Sequence, residues 1–344
     1  LRALEEYARM EHEPGLGAEP LRKGGFHTYA GVIPWYQSFG LTVCMLAACW
    51  SASRLICIAD PRAGDPPFTE LLRALQKYRA TIMPAVPTVF TSLLSHPGLT
   101  EFDLSSLMCC LSGGAPLASG HCRQFEAKTG VVIFEGYGLS ETAPVATCNP
   151  TTSSKRKIGT VGFPLPGTDV KILDLEKGEQ ERPLTADGEI AVSGPQVMKG
   201  YWNKPEANMS VFREIANERY FLTGDIGHID EEGYVLITDR KKDMIIVGGF
   251  NVYPREIEDI LVEHPKIELA AVVGMQDEQS GEAPKAHVQL KPRETATEKE
   301  IRAFCKERLA SYKCPQKIEF RRSMPISPAG KMQRRNLQDE DGSL

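Results

Sequence analysis

Apolar residues in the first 149 positions follow two alternating periods. In residues 68–79 the helical period places Phe68, Leu71, Leu72 and Leu75 on one face, which predicts an amphipathic helix. Similar patterns predict strands at 28–33, 81–86, 107–112 and 131–135, and further helices at 87–95 and 118–129. Because strands that alternate with helices form largely parallel sheets covered on both faces, we predict a layered α/β body over residues 1–149.

After Asn149 the apolar runs become shorter and are separated by turns. Turn pairs such as Asp187-Gly188 and Glu232-Gly233 separate strand-like runs at 170–173, 188–193, 220–223 and 234–238. These runs predict a small β-rich subdomain over residues 150–238. A charged cluster then leads into a small α+β segment with two predicted helices, one opened by Pro254 and one capped by Thr297 and Glu300.

Composition and charge are those of an ordinary globular protein. Of the 344 residues, 42% are hydrophobic and 25% are charged, so a sizeable core is expected and global disorder is not. The formal net charge of −5 gives no electrostatic reason to expect a nucleic-acid partner.

Cysteine usage and the apolar runs favour a cytoplasmic protein. None of the nine cysteines sits in a CxxC pair, and we interpret them as reduced thiols, mostly small and buried. The charged first ten residues are predicted to be helical and do not resemble a secretory signal. The most apolar stretch, residues 41–58, is interrupted by Ser51, Ser53 and Arg54 and is too short to span a bilayer. Peripheral association with a membrane is left open.

One glycine-rich run follows the predicted strand 131–135 and reads Gly136, Tyr137, Gly138, Leu139, Ser140, Glu141 and Thr142. Loops at the carboxyl ends of strands are where α/β sheets bind ligands. The glycines permit close approach of the backbone, the tyrosine offers a stacking face, and the serine and threonine offer hydroxyls for phosphate. The glutamate offers a hard oxygen for Mg²⁺. The alternative is a glycine-rich turn capped by serine.

A second pair of glycines, Gly113 and Gly114, follows the predicted strand 107–112 and precedes Ala115. The pair again permits close approach of the backbone to a ligand. Strand-to-helix turns often contain two glycines, so this signal is weak by itself.

A third motif, residues 221–225, ends in Thr223, Gly224 and Asp225. We expect Asp225 at the end of a strand, where its carboxylate could accept both hydroxyls of a ribose. The alternative is an ordinary β-turn that contains aspartate.

Two further motifs are charged. In residues 239–243, Arg240 could bind ribose or phosphate through its bidentate guanidinium, although such clusters are often solvated surface. In residues 325–331, two prolines and a glycine predict an exposed loop with Lys331 at its tip. This lysine could stabilise charge that develops when a carboxylate attacks a phosphate, and the alternative is a plain surface lysine.

The order of these motifs resembles the adenylate-forming superfamily of acyl-CoA synthetases, luciferases and peptide-synthetase adenylation domains. The resemblance runs from Pro34 to about Gln338 and looks most like medium- or long-chain fatty acyl-CoA synthetases. Its most specific blocks are residues 136–142, 188–202, 223–225, 239–258 and 325–331.

The resemblance implies a two-step reaction. ATP and a carboxylate, here a fatty acid, form an acyl-adenylate and pyrophosphate with Mg²⁺, and the thiol of CoA then displaces AMP. The implied fold is a large body, a hinge at residues 239–242 and a C-terminal α+β lid domain at 243–344 that rotates between the two steps.

Site roles follow from the resemblance residue by residue. Adenine would be lined by Gly113, Gly114 and Ala115, and the ring of Tyr137, which lies between Gly136 and Gly138 in the sequence, would stack on it. Ser140, with Thr142 nearby, would touch the α-phosphate, and Glu141 would hold Mg²⁺. The ribose would be bound by Asp225 and Arg240. Elsewhere, Lys331 would bridge the carboxylate and the α-phosphate, Lys242 would be the hinge residue, and Gly248, Gly249 and Phe250 would form the CoA pantetheine tunnel.

Two departures from the family pattern affect the expected activity. Nothing in residues 1–33 matches the Ser/Thr/Gly-rich phosphate loop, so adenylation by these residues is left open, and we expect the first part of the body to be missing. Gln37 stands where the family often has histidine, beside Tyr36, which implies an altered acyl pocket.

Other functions stay open at this point. One alternative is an acyl-AMP ligase or an enzyme that acylates a carrier protein, and another is a non-catalytic nucleotide- or acyl-binding remnant.

Overall fold

The computed structural model describes residues 27–151, 154–327 and 331–340. The predicted helix in the first ten residues, the segment 22–25 and residues 328–330 of the lysine loop lie outside these ranges. The described chain divides into two compact units: one holds the residues up to Thr223 together with Gly227–Ile237, and the other holds Gly224–Ile226 and the residues from Thr238.

A seven-stranded sheet forms the first layer of the first unit. Its strands are Thr28–Gly31 (β1), Arg54–Cys57 (β2), Ile82–Ala85 (β3), Cys109–Ser112 (β4), Ile133–Tyr137 (β5), Thr147–Cys148 (β6) and Phe163–Pro164 (β7). The spatial order is β2-β1-β3-β4-β5-β6-β7. The first five in this order pair in parallel, and β6 and β7 continue the sheet antiparallel. The predicted α/β body is confirmed.

Helices cover this sheet, with bounds Ala47–Trp50 (α1), Thr69–Lys77 (α2), Pro87–Ser95 (α3) and Ser119–Thr129 (α4). A π-helical segment, Gly40–Leu46, precedes α1, and a 3₁₀ turn follows α3 at Leu99–Glu101. In α2 the predicted face is buried, since Leu71, Leu72 and Leu75 are each at most 1% exposed. They pack with residues of β1, β3 and β4 in one apolar cluster, which holds the carboxyl ends of these strands in place.

A second, mostly antiparallel sheet follows. Its strands are Asp169–Leu173 (β8), Gly188–Ser193 (β9), Phe212–Ile215 (β10), Glu218–Ile229 (β11) and Val235–Arg240 (β12), with the helix Pro205–Val211 (α5) before β10. The order is β10-β11-β9-β8, and β12 pairs with β11. The predicted strand at 220–223 is much longer in the structure, where β11 has 12 residues.

The second unit contains a third sheet and three helices. Its strands are Ile245–Val247 (β13), Phe250–Val252 (β14), Ile267–Asp277 (β15), Gly281–Leu290 (β16) and Lys317–Phe320 (β17), and its helices are Pro254–Glu263 (α6), Glu298–Lys306 (α7) and Arg334–Glu340 (α8). Pro254 opens α6 as predicted, and the Thr297 hydroxyl accepts a hydrogen bond from the amide of Glu300 at the start of α7. A core from α6, α7 and the sheet makes this an α+β unit.

None of the helices in these ranges combines the length and the apolar character needed to cross a bilayer. All nine cysteines are free thiols, and five of them are buried.

Candidate active site

The glycine-rich run begins inside a strand, whereas we predicted it to follow one. β5 continues through Gly136 and Tyr137, which pair antiparallel with Cys148 and Thr147 of β6. Tyr137 is 9% exposed and belongs to an apolar cluster with Ala146. The extra pairing partner explains the difference, because β6 supplies hydrogen bonds that the local sequence does not reveal.

A 3₁₀ turn at Ser140–Thr142 presents the polar end of the run. Thr142 is fully buried, and its hydroxyl accepts from the amide of Leu139 at 2.9 Å and lies 3.1 Å from the Pro144 carbonyl oxygen. Thr142 therefore shapes the turn, which differs from the predicted role of offering its hydroxyl to phosphate. Ser140 is exposed and Glu141 is half-buried, so both can meet a ligand.

Gly138 is required by close packing of the backbone in this turn. A Cβ built on Gly138 would lie 1.7 Å from the Pro144 carbonyl oxygen, a distance that forces the backbone to move. The loop therefore depends on glycine here for space against its own backbone, which differs from the predicted close approach to a ligand.

We expect Gly138→Ala to destabilise the protein by about 1–3 kcal/mol, because the added methyl group overpacks a backbone contact. The matched control is Gly120→Ala in α4, where a Cβ meets nothing within 4 Å and alanine favours the helix by roughly 0.5–1 kcal/mol. Urea unfolding followed by circular dichroism measures both. Equal stability of the two variants would contradict the packing argument.

The segment that carries the predicted acyl-pocket residues lies against both glycine-rich motifs. The hydroxyl oxygens of Ser38 and Ser140 are 3.1 Å apart. The ring of Phe39 lies so near Gly113 that a Cβ there would be 3.1 Å from Cζ. Gln37 is half-buried and Tyr36 is 78% exposed, so the side chain of Tyr36 lies outside the apolar core.

Tyr201 holds the Glu141 side chain. Its hydroxyl donates to Glu141 Oε1 at 2.9 Å, and the amide of Met198 donates to the Glu141 carbonyl at 2.8 Å. The Asn208 side chain fixes the backbone of Tyr201. Its Oδ1 accepts from the Tyr201 amide at 2.7 Å, and its Nδ2 donates to the Tyr201 carbonyl at 3.0 Å. Burial, with the hydrogen bond to Glu141, raises the pKa of Tyr201 to about 12, so the phenol stays a donor at neutral pH.

Sequence reasoning did not assign Tyr201 or Ser38 to the site. Tyr201 lay in one of the blocks that carried the resemblance, and Ser38 lay beside the predicted acyl pocket. Only the contacts over 60 and 102 positions of sequence reveal their partners.

The end of β4 is compatible with a planar ligand at its edge. Ser112 is 3% exposed, and its hydroxyl has no hydrogen-bond partner among the described residues. Gly113 is buried and donates its amide to the Ala85 carbonyl, Gly114 has φ +82°, and Ala115 is half-buried. An orphaned polar atom beside two residues without side chains fits a nucleotide base.

In the second unit, Asp225 and Arg240 form an ion pair. Arg240 Nε lies 3.0 Å from Asp225 Oδ1, with the aspartate side chain 7% exposed and that of the arginine 49% exposed. The predicted position of Asp225 at a strand end is wrong, because it lies in the middle of β11. Gly224, with φ +73°, distorts β11 just before Asp225, and this local irregularity looks like a turn in the sequence.

The remaining predicted residues of the second unit lie at turns. Lys242 is exposed in the 3₁₀ turn Lys241–Asp243. Gly248 and Gly249 both have positive φ and form the two-residue hairpin between β13 and β14. Phe250 is 59% exposed and stacks on Tyr312, with ring centroids 4.9 Å apart.

Lys331 is exposed and follows the undescribed residues 328–330. Its carbonyl accepts from the amide of Ser327 at 2.8 Å, and its amide donates to the Ser327 hydroxyl at 3.1 Å. A bridge between Ile326 and Met332 continues this hairpin-like pairing. The base of the predicted loop is therefore ordered by the backbone.

Within the three described ranges, no three His, Cys, Asp or Glu side chains gather as a metal cluster. A magnesium ion that accompanies a nucleotide needs only one or two protein carboxylates, because phosphates and waters complete its octahedron. Glu141 fits that requirement.

Comparison with known proteins gives consistent matches over both units. Residues 7–202 match the family model for AMP-binding enzymes, and residues 256–331 match the AMP-binding enzyme C-terminal domain. The chain is 43% identical over 319 residues to the long-chain-fatty-acid–CoA ligase of Bacillus subtilis, covering 93% of this chain and 55% of that protein. It is 39% identical over 321 residues to the enzyme of that name from Escherichia coli, at the same two coverages. The chain thus spans about half the length of these relatives.

Solved structures show the same likeness. ATP-bound MatB from Rhodopseudomonas palustris is 35% identical with a TM-score of 0.83, over 92% of this chain and 60% of that one. The o-succinylbenzoate CoA synthetase of Bacillus subtilis, in complex with its acyl-adenylate, is 30% identical with a TM-score of 0.77, over 91% of this chain and 61% of that one.

Proposed function

Since the chain belongs to the family of AMP-binding enzymes, we propose that it activates a fatty carboxylic acid with ATP and transfers the acyl group to CoA. The contact between Ser38 and Ser140 carries this proposal, because it joins the proposed acyl segment to the proposed α-phosphate segment. Adenylation requires these two substrates to meet at one point. The names of the relatives support a long-chain fatty acid as the carboxylate.

In the first half-reaction, a carboxylate oxygen attacks the α-phosphorus of ATP, and the bond from that phosphorus to the bridging oxygen breaks, which releases pyrophosphate. Ser140 donates to a non-bridging oxygen of the α-phosphate, and Glu141, oriented by Tyr201, would hold Mg²⁺, which would neutralise phosphate charge. Lys331 neutralises charge on the attacking carboxylate and the phosphate. Such a transition state needs positioning and charge neutralisation more than a nucleophilic side chain.

In the second half-reaction, the CoA thiol loses its proton to solvent and its sulfur attacks the acyl carbonyl carbon. The bond from that carbon to the phosphate oxygen breaks, and AMP departs with its electrons. We assign the Gly248-Gly249 hairpin to the pantetheine, because two glycines leave the backbone open to a thin ligand. We assign adenine to residues 113–115 and Tyr137, and ribose to Asp225 and Arg240. We also propose that residues 239–242 form the hinge of the C-terminal domain, with Lys242 as the hinge residue. The proposed location of the protein is the cytoplasm.

The test supplies each half-reaction separately. One tube holds the 344-residue protein with synthetic acyl-AMP of several chain lengths and CoA, and the other holds free acid, ATP, Mg²⁺ and CoA; mass spectrometry follows acyl-CoA. Product in both tubes is expected from a synthetase. A matched pair of tubes with a phosphopantetheinyl carrier protein in place of CoA identifies the acyl acceptor.

Product from acyl-AMP alone would contradict the adenylation half of the proposal for these residues and support the thioester half. Absence of product in both tubes, from protein shown to be folded by circular dichroism, would overturn the proposal. Acylation of the carrier protein but not of CoA would overturn the choice of acceptor.

A further inference from the structure

The segment around Lys331 is fixed to the rest of the second unit by side chains that follow the lysine. Met332 packs on an apolar cluster formed by Ala271, Val273 and Leu337. These contacts join the start of α8 to β15. They fix the position of Met332 but do not by themselves fix the orientation of the segment around Lys331.

Arg334, three residues after Lys331, provides that second anchor. Its Nη2 lies 2.6 Å from Glu258 Oε2, and its Nε donates to Glu258 Oε1 at 3.1 Å. Its Nη1 donates to Asp243 Oδ2 at 3.4 Å. One guanidinium therefore binds helix α6 with two parallel hydrogen bonds and also binds the turn Lys241–Asp243.

One partner of Arg334, Glu258, is itself fixed. Glu258 Oε1 also accepts from the amide of Val272 at 2.8 Å. The three side chains are between 15% and 22% exposed, so water screens their charges only partly. A bidentate pair of this kind sets both distance and direction, and lysine cannot reproduce it because ammonium is a point charge.

We propose that Arg334 is a positioning residue that holds Lys331 in place and ties it to the turn Lys241–Asp243. The inference rests on the proposed role of Lys331 in adenylation. Since α8 begins at Arg334, loss of the guanidinium bridge frees residues 331–333, which lead back to the lysine. Glu258 and Asp243 then lose their shared cation, so the segment and the turn are no longer coupled.

The consequence is selective for one half-reaction. Displacement of a catalytic group by about 1 Å costs on the order of 100-fold in rate. Arg334→Gln should therefore lower adenylation by about 100-fold, whereas formation of acyl-CoA from supplied acyl-AMP, in which Lys331 has no proposed role, stays at the wild-type rate.

The experiment measures ATP–pyrophosphate exchange for adenylation and acyl-CoA formation from acyl-AMP for the second step. It compares wild type, Arg334→Gln, Arg334→Lys and the exposed neighbour control Arg335→Gln. Arg334→Lys should recover part of the exchange activity through a single ion pair, and Arg335→Gln should match wild type. Glu258→Gln should also lower pyrophosphate exchange, and the double variant should be no worse than Arg334→Gln alone, because Arg334→Gln already removes the pair with Glu258.

Hydrogen exchange gives a readout that needs no activity. The amides of Lys331 and Gln333, which bond to Ser327 and Pro325, should exchange faster in Arg334→Gln and at the wild-type rate in Arg335→Gln. If the wild-type protein shows no pyrophosphate exchange, the proposed adenylation is wrong. Amide hydrogen exchange then tests by itself whether Arg334 fixes the segment around Lys331. Unchanged amide exchange, or equal loss of both half-reactions, would overturn the positioning role of Arg334.

Discussion

Replacement of Lys331 by alanine is expected to abolish adenylation and to leave acyl-CoA formation from supplied acyl-AMP intact. The ammonium is the cation proposed to meet charge on the carboxylate and the α-phosphate as the new bond forms. Removal of one such preorganised group costs roughly 100- to 1,000-fold in rate. The second half-reaction should keep the wild-type rate, because Lys331 has no proposed role in it.

The measurement pairs ATP–pyrophosphate exchange with single-turnover conversion of acyl-AMP to acyl-CoA. Lys299→Ala is the matched control, since Lys299 is an exposed lysine on α7 of the same unit. It should leave both rates unchanged. Equal loss of both half-reactions in folded Lys331→Ala would refute the assignment of Lys331.

The fold was predictable where short-range periodicity decides it. The face of α2 with Leu71, Leu72 and Leu75 follows directly from helical spacing, and α3 begins at a proline that suits its first turn. Strand ends were less predictable, because a partner strand elsewhere in the chain decides where pairing stops. Pairing with β6 extends β5 through Gly136 and Tyr137. Gly224, which has positive φ inside β11, made the sequence there look like a turn.

The candidate site divides in the same way. Motifs pointed to Glu141 and Lys331, because a carboxylate and an ammonium in glycine- or proline-bounded loops suggest phosphate chemistry. Tyr201, which binds Glu141, and Arg334, which we propose positions Lys331, were not assigned from the sequence, because their partners lie 60 and 76 positions away. Such contacts depend on how the whole unit folds, so periodicity and spacing do not reveal them.

Replacement of Asp225 by asparagine is expected to weaken AMP binding by about 10- to 100-fold. The buried carboxylate is proposed to accept both ribose hydroxyls, and a hydrogen bond to a charged group contributes roughly 1.5–3 kcal/mol. Asparagine keeps the shape but brings one acceptor oxygen and an NH₂ group that can only donate. The side chain of Arg240 is half exposed, so water can solvate its guanidinium, and we expect the variant to fold.

Titration calorimetry with AMP and with 2′,3′-dideoxy-AMP separates the ribose contact from general damage. Wild type should bind AMP more tightly than the dideoxy analogue, whereas Asp225→Asn should bind the two alike, because the acceptor of the hydroxyls is gone. Asp60→Asn, at an exposed aspartate of the first unit, should behave as wild type. A folded Asp225→Asn variant that still discriminates between the two nucleotides as wild type does would remove Asp225 from the ribose site, because discrimination would then come from other residues.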